Sequence, residues 1–337
     1  MNQPETNPLL EFDNLRITDP TAIPPPIPVV TINNEIICTE CNMTTISGAS
    51  KSGKSAFIGI ILAGAISESG NIDGLEYLQV TSNENKKAVI HLDTEQARHK
   101  HQSNLRTIIK RSYYDACPNH FLSYNIRALD ITKYEEITTR ICDAANAVFG
   151  GVHLIVIDGI ADYIADVNDT LTANAIVKFF EDLAIKFNCP IITIVHTNPG
   201  SEKERGHLGS QCQRKSESLL SIRNEGDISF MEPKLLRMAG KGDVPVLQFA
   251  YSREKGYHIG LGVKPSDDEV KGEKQKLELK GISVKVFGAQ KSFKYNEACK
   301  EIMEKTGFGL SKAKKLIVQM GDLNLIYQDD AGYYRLG

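Results

Sequence analysis

The chain has 337 residues, 41% of them hydrophobic and 24% charged, with a formal net charge of −3 at pH 7. This length exceeds one small domain, and the composition is typical of a globular protein with a sizeable core. No apolar run reaches the ~18–20 residues needed to cross a bilayer, and residues 1–14 lack the features of a secretory signal. The seven cysteines are too sparse for a disulfide framework, so we expect a cytoplasmic protein without a membrane partner.

The first 263 residues contain two predicted regions. Residues 1–27 are polar and then rich in proline, which predicts an extended arm because successive prolines prevent helix formation. Residues 28–263 alternate short apolar runs with amphipathic stretches, which predicts an α/β domain with a mostly parallel central sheet and an antiparallel end. The predicted helices cover residues 54–68, 94–112, 133–148 and 170–187. The predicted strands are Met43–Ser47, Ala88–Asp93, His120–Asn125, Leu154–Asp158, Ile191–His196, Leu219–Arg223, Leu235–Met238 and Val244–Tyr251.

The C-terminal part has a different pattern. Residues 264–282 are charged and poor in aromatic and large apolar side chains, which predicts a linker. Two predicted helices, Tyr295–Thr306 and Ser311–Gly321, then precede a hairpin, the element order of a winged helix-turn-helix over residues 283–337. Residues 281–337 hold nine Lys and Arg against six Asp and Glu, which is compatible with DNA binding but also with an ordinary solvated surface or a protein-interaction domain. The candidate DNA contacts there are Lys312, Lys314, Lys315 and Arg335.

Residues 48–55 form a complete G-x-x-x-x-G-K-S motif between a predicted strand and a predicted helix. Its glycines let backbone N–H groups surround phosphates at the N-terminus of the helix. We predict that Lys54 contacts the β- and γ-phosphates of ATP and that Ser55 binds Mg²⁺. The alternative is a surface turn rich in Gly, Ser and Lys. The candidate nucleotide-binding residues are Gly48, Ala49, Ser50, Lys51, Ser52, Gly53, Lys54 and Ser55.

Three further strands are predicted to end in polar side chains at one edge of the sheet. Asp158 follows an apolar run and is the second candidate Mg²⁺ ligand, although an acid at this place also suits a turn or a helix cap. Glu95 is the candidate base that activates water. The alternative is that Asp93 or Thr94 caps the next helix and Glu95 merely occupies its first turn. His196 is a candidate sensor of the γ-phosphate.

Two shorter segments allow more than one interpretation. The polar loop after His196 contains Lys203, Arg205 and His207, and Arg205 is a candidate DNA contact, although a solvated loop without a ligand is the alternative. Cys38 and Cys41 have the spacing of a zinc-binding pair, but a four-ligand site needs a second pair that the sequence lacks. A tight turn between strands is the favoured interpretation of that segment.

The motif order over about residues 28–260 resembles the RecA-like ATPases, most closely the RepA-type hexameric helicase group. The segments that carry the resemblance are the P-loop, Asp-Thr-Glu-Gln at 93–96, the strand ending in Asp158, His-Thr-Asn at 196–198 and Arg-Gly-His-Leu-Gly-Ser at 205–210. The resemblance implies that Glu95 is the catalytic base, that Asp158 binds Mg²⁺ and that His196 senses the γ-phosphate.

The resemblance also implies how such a protein assembles and acts. It implies a homo-oligomer, a hexameric ring in which basic residues of the next subunit complete the site, with Arg237 and Lys241 as candidates. The activity it implies is that of an ATP-hydrolysing motor or assembly factor on DNA, of replication or mobilisation type. An ATP-switched DNA-binding regulator and a RecA-type recombination factor are the alternatives.

Overall fold

A computed structural model describes residues 9–337 except residues 71–74, 76, 199, 202, 241 and 290. The chain divides into two compact units, with the boundary between Lys264 and Pro265. Residues 9–26 are exposed, and where the sequence predicts a fully extended arm the structure has a short 3-10 helix at Leu10–Leu15 before the prolines. Among the described residues, no helix combines the length and the hydrophobicity that a bilayer crossing requires.

The first unit is built from alternating strands and helices. Its helices are α1 Lys54–Ile66, α2 Arg98–Arg111, α3 Tyr134–Phe149, α4 Thr170–Phe187 and α5 Gly206–Lys215, with 3-10 helices at Ile131–Lys133 and Ile160–Tyr163. Its strands are β1 Pro28–Ile32, β2 Glu35–Thr39, β3 Met43–Gly48, β4 Leu78–Val80, β5 Ala88–Asp93, β6 Phe121–Asn125, β7 Val152–Asp158, β8 Ile191–His196, β9 Ser218–Glu225, β10 Ile228–Leu236, β11 Leu247–Ser252 and β12 Tyr257–Val263.

The central sheet has the order β12-β11-β10-β9-β3-β8-β7-β5-β6 among the described residues. Strands β9, β3, β8, β7, β5 and β6 are parallel, and β10, β11 and β12 extend the sheet in antiparallel fashion. This confirms the predicted α/β fold with a mostly parallel sheet and an antiparallel end. The register pairs Gly48 with His196 and Asp93 with Asp158, so the carboxyl ends of these strands meet at one edge.

Helices cover both faces of the parallel strands, which explains their almost continuous apolar sequences. Along β7, Leu154 and Val156 belong to the core that contains α1 and α2, whereas Ile155 and Ile157 belong to the core that contains α3 and α4. Helix α1 is buried on most sides, and its Phe57 contacts Phe249 of β11 with ring centroids 5.8 Å apart. The P-loop therefore joins two elements that are both held rigidly in the core.

The segment that joins β2 to β3 is a tight turn, as the sequence predicts. Residues Glu40 and Cys41 form the turn, and Cys41 adopts a positive φ of 61°. Its Sγ donates to Asn188 Oδ1 at 2.9 Å, while Cys38 is buried in the core. No group of three or more metal-ligating side chains occurs among the described residues.

The second unit contains α6 Asp267–Phe287, α7 Tyr295–Thr306, α8 Leu310–Asp322 and a hairpin of β13 Ile326–Gln328 and β14 Tyr334–Leu336. The two later helices and the hairpin occupy the predicted places, although Gly309, not Ser311, is the N-cap of α8. The predicted linker at residues 264–282 is wrong, because most of it forms α6. This helix begins with a capping box of Ser266 and Glu269, and its apolar side chains Leu279, Ile282, Val286 and Phe287 enter the core of the unit.

Candidate nucleotide-binding site

The P-loop packs closely against strands β9 and β10, and its two glycines make this approach possible. A Cβ on Gly48 would lie 2.3 Å from the carbonyl oxygen of Ile222, and one on Gly53 would lie 2.5 Å from Ser229 Oγ. Gly53 also has a φ of +103°, which side-chain-bearing residues rarely adopt. It is the N-cap of α1, so the first N–H groups of that helix face the loop. The loop therefore fits a phosphate group.

Lys54 is held at the first position of α1, 7% exposed. Its Nζ donates to the carbonyl oxygens of Gly48 at 2.9 Å and Ala49 at 2.7 Å, and it lies 3.4 Å from Nδ1 of His196. Burial lowers the pKa of Lys54, while the nearby carboxylates of Glu95 and Asp158 oppose this shift. The ammonium group is thus a desolvated cation inside the loop, where it attracts an anion more strongly than it would in water.

Ser55, Gln96 and Asp158 converge beside Lys54. Asp158 Oδ2 accepts from Ser55 Oγ at 3.4 Å and from Gln96 Nε2 at 3.2 Å. Gln96 Nε2 also lies 3.3 Å from Ser55 Oγ. Burial, together with the charges of Asp93 and Glu95, raises the pKa of Asp158 to about 7. A hydroxyl and a buried carboxylate in this arrangement form the oxygen donor set that Mg²⁺ prefers.

Glu95 and His196 form the next pair along the edge of the sheet. His196 Nε2 lies 2.9 Å from Glu95 Oε1 and 3.2 Å from Oε2. Nζ of Lys54 lies 3.4 Å from the other ring nitrogen, Nδ1. His196 thus joins Lys54 of the P-loop to the candidate base.

Glu95 lies in a loop before α2, not in its first turn. The helix begins at Arg98 with Ala97 as its N-cap, and no side chain caps it. The interpretation of Asp93 or Thr94 as a cap of this helix is therefore wrong. Gly159 provides space for the loop, since a Cβ there would lie 2.1 Å from Thr94 Oγ1 and 2.9 Å from Glu95 Cγ.

A cavity of 580 Å³ extends from the P-loop along α1 and α2 to the turn between β11 and β12. Its volume is within the usual range for small-ligand sites. Arg111, at the end of α2, donates to the carbonyl of His258 and lies 4.8 Å from the ring centroid of Tyr257. These contacts connect the far wall of the cavity, at the turn between β11 and β12, to α2. No sequence motif marks this wall, so it was not predicted. Its lining residues include Asn104, Thr107, Arg111, Tyr251, Tyr257 and His258.

No protein-family model matches the chain, and no curated protein matches its sequence. Among solved structures, the chain is similar to one described as an ATPase domain, with 12% sequence identity and a TM-score of 0.44. The similar region covers 66% of this chain and 86% of that structure. At this level of similarity, the function has to be inferred from the side chains of the site.

The remaining candidate residues of the first unit are Arg205, Arg237 and Lys241. Arg205 is exposed at the start of α5, and its backbone N–H donates to the carbonyl of His196 at 2.9 Å. Arg237 follows β10 near the start of β9, at the end of the sheet opposite the P-loop, and its Nη2 donates to the carbonyl of Arg214 at 2.7 Å. Lys241 lies outside the described residues.

The candidate DNA contacts of the second unit are on α8 and the hairpin. Lys312, Lys314 and Lys315 are exposed, and Lys312 Nζ lies 3.4 Å from the ring centroid of Phe308. Arg335 Nε pairs with Asp329 Oδ2 at 2.7 Å within the hairpin. The lysines of α8 are therefore stronger candidates for phosphate contacts than Arg335, because a local acid partly neutralises the arginine.

Proposed function

We propose that this protein is a RecA-like P-loop ATPase that acts on DNA. The observation that carries the proposal is that the P-loop Lys54, the pair Ser55 and Asp158, and the pair Glu95 and His196 converge at one sheet edge beside a cavity of 580 Å³. These groups lie at or shortly after the carboxyl ends of β3, β5, β7 and β8, and the parallel register supports their meeting as one site. An isolated surface turn would not be accompanied by such partners.

The site residues fit ATP and Mg²⁺. The N–H groups at the start of α1 suit phosphate oxygens, and Lys54 supplies a cation beside them. Ser55 and Asp158 would hold the metal ion, which on binding neutralises charge on the phosphates. The cavity between α2 and the β11–β12 turn would take the base and sugar.

The proposed reaction is hydrolysis of the terminal phosphoanhydride. Glu95 would take a proton from water as the water oxygen bonds to the γ-phosphorus and the bond to the β-phosphate oxygen breaks. His196 contacts both Lys54 and Glu95, so it is placed to respond to the γ-phosphate. Its carbonyl accepts from the N–H of Arg205, which would connect that response to the segment between β8 and α5.

Steady-state ATP hydrolysis, measured without DNA and with single- or double-stranded DNA, tests this function. A motor requires rapid turnover that DNA stimulates, whereas an ATP-switched regulator requires slow turnover and specific duplex binding. Filament formation on single strands would indicate the recombination alternative. Absence of ATP binding and of hydrolysis under all conditions would contradict the ATPase proposal.

We also propose that the second unit is a winged helix that binds duplex DNA. The exposed lysines of α8 and the following hairpin support this, since clustered cations on one helix can contact successive phosphates. In the full chain, Lys312→Ala/Lys315→Ala should weaken duplex binding in fluorescence anisotropy. Its slope of log K against log salt should become less negative by roughly 0.9 per lost contact. The matched control is Lys274→Ala/Lys276→Ala on α6, and equal losses in both variants would contradict a specific role for α8.

The proposed assembly is a hexameric ring with a cation supplied by the neighbouring subunit. Arg237 is exposed, so a neighbouring subunit can reach it. If Arg237 acts in trans, mixing inactive Arg237→Ala with inactive Lys54→Ala should restore part of the activity at mixed interfaces. A protein that stays monomeric with ATP in light scattering would contradict the ring.

A further inference from the structure

Behind the candidate base lies a buried carboxylate, one oxygen of which accepts two hydrogen bonds from the loop that carries that base. Asp93 is fully buried, and its Oδ1 accepts from the backbone N–H groups of Glu95 at 3.0 Å and Gln96 at 2.9 Å. Its Oδ2 accepts from Nδ1 of His101 at 2.8 Å. Burial favours the protonated form of Asp93, yet its hydrogen bonds from His101 and Gln96 bring its pKa below the ordinary value.

The chain of hydrogen bonds continues beyond His101. Ser123 Oγ lies 3.0 Å from His101 Nε2 and 2.9 Å from His91 Nδ1, and the two imidazole rings stack with centroids 5.3 Å apart. Burial, with the neighbouring His101, lowers the pKa of His91 to about 4, so His91 is neutral at pH 7. All three hydrogen bonds form when His91 donates to Ser123, Ser123 donates to His101, and His101 donates to Asp93.

This arrangement is not needed to start a helix. Asp93 does not cap α2, which begins at Arg98. A buried charge is costly unless it is paired, and here the pairing extends over strands β5 and β6 and helix α2. The segment that this network holds in place is therefore the loop of Glu95 and Gln96.

We propose that Asp93 and His101 are positioning residues for Glu95 and Gln96. His101 orients the Asp93 carboxylate, and the carboxylate fixes two successive backbone N–H groups. These in turn place the Glu95 carboxylate beside His196 and the Gln96 amide beside Asp158. The inference rests on the proposed ATPase function, because a displacement of about 1 Å in a reacting group can cost about 10²-fold in rate.

The first test compares two substitutions of His101 with a matched control. His101→Ala removes the donor to Asp93, and we expect kcat to fall about 10–100-fold. The affinity for a fluorescent ATP analogue should change less than about twofold, because Lys54 and the P-loop remain. His101→Asn should recover most of kcat, since its Nδ2 can donate from nearly the same place as Nδ1. The control is His120→Ala, which removes a buried histidine bonded to the carbonyl of Ile66, away from this network.

The second test asks whether His101 acts through Glu95. In the Glu95→Gln background, His101→Ala should lower kcat little further, because the group that it positions is already inactive. An equal loss in both backgrounds, or an unchanged kcat in folded His101→Ala, would overturn the proposal. If His101→Ala does not fold, Asp93→Ala replaces it, because it removes the acceptor of the Glu95 and Gln96 N–H groups, and unchanged kcat there is equally contradictory. Hydrolysis by the wild type separates this outcome from a failure of the ATPase function.

Discussion

Nε2 of His196 and Oε1 of Glu95 are 2.9 Å apart, although the two residues are separated by 101 positions in the sequence. The other nitrogen of the same imidazole faces Lys54 at 3.4 Å. A ligand that draws Lys54 towards its phosphates would change the hydrogen bond to Nδ1. The proposed phosphate site and the candidate base are therefore linked through one side chain.

Lys54→Ala should abolish ATP hydrolysis and strongly weaken triphosphate binding. The substitution removes the buried ammonium group that faces the P-loop carbonyls, and losing one such electrostatic group costs about 10²–10³-fold in kcat. Phosphate release and titration with a fluorescent ATP analogue measure the two effects. Lys178→Ala, on the exposed face of α4, is the control. Turnover equal to that of the wild type would exclude the proposed ATPase site.

Glu95→Gln should bind ATP but hydrolyse it about 10²–10⁴-fold more slowly, since the amide keeps the shape of the carboxylate but cannot take the proton. Its Oε1 can still accept from His196, so the local structure should persist. Single-turnover assays under saturating protein separate the chemical step from binding. The control is Glu135→Gln, in the exposed first turn of α3. Full activity in Glu95→Gln, together with a loss in Asp158→Asn, would indicate that Glu95 has no role as base.

Asp158 should make the stability of the metal-free protein depend on pH. Its pKa is about 7 in the folded state, against an ordinary value of 3.8, so between these values the folded state binds more protons than the unfolded state. Its contribution to stability therefore falls as pH rises from about 4 to about 7. Asp158→Asn removes this contribution and should melt at a higher temperature than the wild type at pH 8 in EDTA.

Thermal denaturation of wild type and Asp158→Asn across this range tests the sign of the effect. The difference between the two melting temperatures should be small near pH 4 and should grow towards pH 8. A difference that stays constant with pH would show that Asp158 does not titrate in this window. Addition of Mg²⁺ should stabilise only the wild type, more strongly at higher pH, because the carboxylate must lose its proton to bind the ion.

Gly159→Ala should reduce both stability and activity, whereas Gly150→Ala should reduce stability alone. Both glycines have positive φ, 116° and 66°, and an alanine in such a conformation costs about 1–2 kcal/mol. A Cβ on Gly150 meets no described atom within 4 Å, but one on Gly159 would collide with Thr94 and Glu95. That collision adds an overpacking cost of about 1–3 kcal/mol and displaces the base. Equal kcat values in the two variants would contradict the role of Gly159.

The parts of the fold that follow from local patterns were predictable. Buried parallel strands have continuous apolar sequences, so the ends of β5, β7 and β8 could be located at Asp93, Asp158 and His196. Because parallel strands align their carboxyl ends, the meeting of these strand ends at one edge was also predictable, whereas the pairing of Glu95 with His196 was not predicted. The contact of Gln96 with Asp158 depends on side-chain rotamers, which a sequence pattern does not specify.

Two other features were not predicted, namely the helix within residues 264–282 and the far wall of the cavity. The many charges of residues 264–282 suggested a linker, yet Ser266 and Glu269 have the spacing of a capping box, which marks a helix start. The apolar residues that bury this helix occur only near its end, from Leu279 onward. The far wall of the cavity had no local signal at all, since Tyr257 meets Arg111 only after the sheet has formed.

The tie between α2 and the β11–β12 turn has a consequence for the order of biosynthesis. Lys110 donates to the carbonyl of Lys255, and Arg111 to that of His258, at sequence separations of 145 and 147. A ribosome releases α2 long before these partners emerge, and contacts between residues so distant in sequence form late because their loop-closure entropy is large. During synthesis, one wall of the cavity thus exists before the opposite wall can form. In the proposed ATPase, nucleotide would bind fully only after synthesis has passed residue 258, so it would stabilise the finished domain in preference to its truncated precursors.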